Sequence, residues 1–262
     1  MIRKHKFNIL IAVVLFSLSF TACENDPGMA RLVVKLTDAP ADYQEVNVDI
    51  QNIEVNVSQN GDESGWTNLQ NTNTGVYNLL ELTNGLSAVL ADVEIPAGYI
   101  SQIRLQLGDN NTLKMGDQII DLKIPSGQQS GLKVQLNSTL SAGITYEILL
   151  DFDAARSVVK AGNSGGFNLK PVIRAMAQAQ DGAIKGEILP SEASAAVYAI
   201  QGVDTVTSTF SNDAGRFLIV GLAEGTYTMA ISPESTYQEV VIEGVSVNLG
   251  NITDVGNVTL SE

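Results

Sequence analysis

Val46-Asn47-Val48-Asp49-Ile50-Gln51-Asn52-Ile53-Glu54-Val55-Asn56-Val57 is the stretch on which the fold turns. Apolar side chains hold positions 46, 48 and 50, then switch parity to 53, 55 and 57. Period two marks a half-buried strand, because successive side chains leave a pleated backbone on opposite faces. No glycine or proline stands at the switch to turn the chain. One inserted residue flips every later side chain, so a β-bulge or bend is predicted near Gln51-Asn52.

The same alternation runs outward in both directions. Leu32, Val34 and Leu36 precede it; Ile103, Leu105 and Leu107, then Ile120, Leu122 and Ile124, follow. Leu132, Val134 and Leu136 come next, and Tyr146, Ile148, Leu150 and Phe152 after them. Turn residues punctuate these runs at 60–65, where a hairpin loop leads to Trp66, and again at Asn84-Gly85 and Pro96-Ala97-Gly98. Only residues 78–82 and 154–159 offer a short helical period. Beyond a small, polar joint at 177–182 the strands shorten, with runs at 184–189, 195–200, 205–210, 217–220, 226–231, 239–242, 245–249 and 255–260. Asp213-Ala214-Gly215 reads as a hairpin turn with Gly215 at positive φ. The pattern predicts an all-β chain of two tandem antiparallel β-sandwich domains, residues 30–178 and 179–262, the second of immunoglobulin size.

The N-terminus reads as an address. Residues 2–6 carry Arg3, Lys4 and Lys6, residues 7–20 are almost wholly apolar, and Thr21-Ala22 leads to Cys23, the only cysteine. A 14-residue apolar run is short of the ~20 that a spanning helix needs, so residues 1–22 are expected to be a signal peptide. Small residues before a lone cysteine resemble the lipobox of bacterial lipoproteins, with Phe20 where leucine is usual. That resemblance implies lipidation of Cys23. Residues 23–29 form an acidic tether; Glu24 and Asp26 in it resemble the surface-export signal of lipoproteins from Bacteroidota-like bacteria. The expected place is the outer membrane, held by lipid and facing outward.

Composition narrows the chemistry. The chain has 29 Asp and Glu against 15 Lys and Arg. Removing the leader takes three basic residues and no acid, leaving 12 against 29, a net −17. Such a surface repels phosphate backbones, so nucleic acid is excluded as a partner. The single histidine, His5, leaves with the leader. With no imidazole and no free thiol, zinc and iron–sulfur sites and the commonest general base are excluded.

Two family resemblances add to this. Residues 36–40, 77–82, 95–99, 103–105, 124–133, 150–157 and 169–174 are similar, in order, to the domain-of-unknown-function family 4382 of exported bacterial lipoproteins. Among them are Leu36-Thr37-Asp38-Ala39-Pro40 and Leu150-Asp151-Phe152-Asp153-Ala154-Ala155-Arg156-Ser157. The resemblance implies a β-rich domain and leaves activity open. Residues 182–188, 211–217, 221–227 and 245–260 resemble the carboxypeptidase regulatory-like, transthyretin-like domains, which are accessory sandwiches classed by fold with carbohydrate-binding-like domains.

Three constellations are candidates for chemistry. Ser126, Ser130 and Lys133 form a serine–lysine grouping, although Ser126-Gly127 and Ser130-Gly131 read equally as turns. Asp151 and Asp153, two apart on one strand at ~6.6 Å, share a face that Asp38 and Asp42 could join to hold Ca²⁺. A carboxylate-based hydrolase would need the same pair. The alternative is an ion-pair scaffold with Arg104, Arg156, Lys170 or Arg174, because buried acids are usually paired. Trp66, with Tyr43, Tyr77 and Tyr99, is the third, as a stacking platform for a glycan. The overall expectation is a non-enzymatic envelope protein that binds a glycan or a protein, or serves as a structural component of the envelope.

Overall fold

The computed structural model describes residues 27–125, 131–162, 165–234 and 236–262. The expected signal peptide, Cys23, Ser126 and Ser130 lie outside them. In chain order the first thirteen strands are β1 Met29–Asp38, β2 Glu45–Asn56, β3 Trp66–Asn68, β4 Gly75–Asn78, β5 Ala88–Pro96, β6 Gly98–Leu107, β7 Thr112–Met115, β8 Gln118–Lys123, β9 Leu132–Leu140, β10 Thr145–Phe152, β11 Val158–Lys160, β12 Phe167–Leu169 and β13 Ile173–Ala179. One turn of helix, α1 Ala154–Ser157, separates β10 from β11, and Leu79–Leu82 form a 3₁₀ turn. Seven more strands follow: β14 Gly182–Leu189, β15 Ala195–Gln201, β16 Asp204–Phe210, β17 Arg216–Leu222, β18 Gly225–Pro233, β19 Val240–Val247 and β20 Ile252–Thr259. Among the described residues no helix is long and apolar enough to cross a membrane.

β2 organises the larger sheet. Its first half lies between β4 and β7, and its second half between β3 and β6. The register shifts between Ile50 and Asn52, where the parity of the sequence breaks. The bulge is thus the point at which the strand exchanges neighbours on both sides. Val46, Val48, Ile50, Ile53 and Val55 all remain buried across it. The sheet runs β11-β12-β8-β7-β2-β6-β9. Facing it is the sheet β13-β10-β1-β5, whose Leu32, Val34, Leu36, Ile148 and Leu150 complete one core. Each such fully buried aliphatic chain is worth ~1.5–3 kcal/mol.

Residues 182–260 form a second core between the sheets β17-β14-β20 and β16-β15-β18-β19. Tyr227, Met229 and Ile231 line it from β18, and the Tyr227 hydroxyl donates to the Ala223 carbonyl at 3.0 Å. The expected strands at 239–242 and 245–249 are one strand, β19, bent by a register shift. Gly215 has φ 75°, yet its turn does not make a β-hairpin. β16 and β17 belong to different sheets, so the turn carries the chain across the core.

The expectation of purely antiparallel sheets is corrected at three places. β1 runs parallel to β10, β14 parallel to β20, and β12 parallel to β8 over two residues. Long connections separate each pair in sequence, so both strands can enter their sheet from the same end. Asp181 fastens the joint between the cores: its Oδ1 accepts from Thr145 N at 2.7 Å and its carbonyl from Gly250 N at 2.8 Å.

Candidate functional site

β1 and β10 run in parallel register, with Thr37 opposite Asp151 and Asp38 opposite Phe152. This pairing brings the segment around Asp38 to the segment around Asp153. β10 stops at Phe152, so Asp153 does not share a strand face with Asp151 as the spacing predicted. Asp153 instead caps α1: its Oδ1 accepts from Arg156 N at 2.9 Å, and Arg156 Nη1 stands 3.9 Å from its Oδ2. Asp151 is held by Arg174 across the β10–β13 ladder, Nη2 to Oδ2 at 2.5 Å.

Asp38 is 5% exposed. Its Oδ1 accepts from Ala154 N at 2.9 Å, satisfying a second N–H at the same N-terminal end of the helical turn that Asp153 caps. Its Oδ2 is buried and has no hydrogen-bond partner. Burial pushes this carboxyl up from 3.8 to about 6, with Asp153 and Asp151 adding repulsion and the Ala154 and Ala39 N–H groups opposing it. Asp42 is exposed in the loop before β2, beside Tyr43 and Lys114. Among the described residues no three His, Cys, Asp or Glu stand together as a metal cage.

A family model, "Domain of unknown function (DUF4382)", matches residues 29–171, more than half of the chain. The chain belongs to this family. No curated protein matches the sequence. Solved structures with some likeness to it include the Bacillus anthracis TIE protein, at 10% identity and TM-score 0.26 over 89% of this chain and 34% of that one. The pilus backbone RRGB of Streptococcus pneumoniae follows at 11% and 0.29, over 91% and 65% of the two chains. The fimbrial anchor protein Mfa2 of Porphyromonas gingivalis stands at 11% and 0.25, over 87% and 90%. This chain spans about a third of the first and just under two thirds of the second. At such scores the likeness carries no argument.

Within the DUF4382 domain the acid-bearing segments 36–40 and 150–157 therefore meet through Asp38 and Ala154, and the acids serve caps and ion pairs. Trp66 belongs to a second cluster, on the outer face of the large sheet. Glu54, Arg104 and Lys133 stand in one cross-strand row over β2, β6 and β9. Arg104 pairs with Glu54 through Nε and lies 3.8 Å from Glu63; Lys133 pairs with Glu63. The Arg104 guanidinium carbon sits 4.3 Å from the Trp66 ring centroid and Lys133 Nζ 5.7 Å from it. One face of the indole is thus covered by the protein's own cation. Trp66 Nε1 is buried without a partner at hydrogen-bond geometry, although Glu63 lies near enough to feel it. The Arg104 guanidinium holds the Glu54 carboxyl below the usual range against its burial, with Gln106 Nε2 donating at 2.7 Å. Tyr43 and Tyr77 pack against the core, and Tyr77 and Tyr99 hydroxyls donate to Asn73 O and Asn137 Oδ1.

The sequence reading missed Asp49 and Asn111. Asp49 is 2% exposed and accepts from Gln51 Nε2 at 2.5 Å and from Asn110 Nδ2 at 2.9 Å. Asn111 Oδ1 receives the Asp49 N–H at 2.9 Å, while its Nδ2 donates to Gly108 O at 2.6 Å. A Cβ on Gly108 would stand 2.3 Å from Asp49 Oδ2, so only glycine fits this approach. The available signal was Gly108-Asp109-Asn110-Asn111, a turn directly after a strand. Along the polar side of β2, Asn47, Asp49, Glu54 and Asn56 all have side-chain hydrogen-bond partners.

Proposed function

We propose that this DUF4382 protein is a non-enzymatic component of the cell envelope, anchored by lipid on Cys23 and facing outward. One observation carries the non-enzymatic reading. The carboxylates best placed for chemistry, Asp151 and Asp153, are engaged by Arg174 and by the α1 cap. A glycosidase-type hydrolase needs an acid and a base that both reach a substrate. Asp38 Oδ2, the carboxylate oxygen beside them that has no partner, is buried away from solvent. Lys133, the base of the serine–lysine grouping, is committed to Glu63. Histidine occurs only at position 5, in the leader. The C-terminal strands, with their resemblance to carboxypeptidase regulatory-like domains, act as an accessory module toward a glycan or envelope protein.

Metabolic labelling with an alkynyl fatty acid tests the anchor. Wild type should take up label and sediment with outer membrane, and Cys23→Ala should do neither. External protease should cut the protein on intact cells. An unlabelled wild type with a free thiol at Cys23 overturns the address.

A further inference from the structure

β13 is an open edge: among the described residues it pairs with β10 alone. Its register with β10 is unbroken from Ile173 to Ala179. Strand edges are usually guarded by lysine, proline or a bulge, since unpaired N–H and C=O groups template further pairing. β13 has none of these. Its only charge, Arg174, is neutralised by Asp151. On a chain of net charge −14 this neutral edge lets two copies approach without acidic side chains of β13 facing one another. Beside it a groove of about 620 Å³ opens toward β9, the edge of the facing sheet; Val134, Ile173, Ala175 and Met176 line its apolar part, and the polar remainder includes the Asp151–Arg174 pair. Ile173, Ala175, Ala177 and Val134 are only partly buried against the core, and Met176 is 57% exposed.

We propose that the occupant of this edge is a second copy of the chain, paired antiparallel through β13 about a two-fold at Met176. The segment is self-complementary in that register. Met176 meets Met176 of the second copy, and Arg174 meets Gln178, so no like charges face one another. On the inner side Ala175 meets Ala177, and Ile173 meets Ala179, bringing small apolar groups over the open groove. The four-stranded sheet becomes eight-stranded across an isologous contact. An extended strand from another protein would use the same edge without needing this symmetry.

Cysteine at the two-fold reads the geometry directly. Oxidative cross-linking in cells expressing the full chain should give a dimer with Met176→Cys. Wild type, which has only Cys23, and Ser246→Cys, exposed on β19, should give none. Sedimentation of the detergent-solubilised chain should show a concentration-dependent dimer. Met176→Lys, which sets two ammonium groups face to face, should weaken it by about tenfold or more, and Met176→Leu should retain it. A wild type that stays monomeric, a Met176→Cys dimer no stronger than that of Ser246→Cys, or a dimer indifferent to Met176→Lys would each overturn the proposal. Circular dichroism of the lysine variant separates loss of pairing from loss of fold.

Discussion

Replacing Asp38 with asparagine isolates one buried carboxyl as a source of pH-dependent stability. Asp38 Oδ1 accepts the Ala154 N–H, while Oδ2 has no partner and faces the field of Asp151 and Asp153. Its proton is therefore held up to about pH 6 in the folded chain, against 3.8 as the ordinary value. The folded state binds that proton more tightly than the unfolded state. The stabilisation is complete below the ordinary value and is lost as pH rises through 6. A shift of this size corresponds to at most ~3 kcal/mol at 1.36 kcal/mol per unit, and solvent relaxation at the loop side of the site reduces it to ~1–2 kcal/mol. Asparagine keeps the acceptor for Ala154 and cannot ionise. Urea denaturation of both proteins between pH 4.5 and 7.5 is the assay, because their difference cancels every other titrating group. The buried amide N–H of the variant adds a constant offset. Wild type should lose ~1–2 kcal/mol relative to the variant as pH rises through 6. A difference that stays flat over this window refutes the reasoning.

Arg104→Ala leaves the nearly buried Glu54 carboxylate without its cation, held by Gln106 alone, and removes the cation over Trp66, so denaturation should show a loss of ~2–4 kcal/mol. Glu54 has a depressed pKa, so its contribution is present above the ordinary carboxylate value and disappears as pH falls through the depressed one. Acid unfolding of Arg104→Ala should accordingly lack that component below about pH 4. Asn111→Ala orphans the buried Asp49 N–H and should cost ~1–3 kcal/mol, read as a lower urea midpoint with unchanged slope. Calcium added after chelation should leave the melting temperature unchanged, since Asp151 and Asp153 already have partners within the fold and Asp38 is buried away from solvent; a rise would restore the cation reading.

The bulge in β2 was legible because a parity break in an alternating strand has one local cause. The two short helical turns were legible from their local period. The fate of Asp153 was not, because a strand and a cap place the same residue differently. Only the Ala154 N–H meeting Asp38, 116 positions away in sequence, settles which one forms. Trp66 was recognised as distinctive, but the cation that covers it comes from β6, and no spacing along the chain announces that contact. Asp49 was hidden because it sits on the outward parity of its strand, where a polar residue needs no explanation until a neighbouring loop buries it.

By itself the sequence determined the all-β class, the positions of most strands and the poverty in catalytic side chains. These depend on local alternation and on composition. Which strands are neighbours, which run parallel and which acids are spent on arginines or caps was decided only by tertiary structure. Those outcomes depend on groups brought together across the chain, where distance and burial, not order, set the energy.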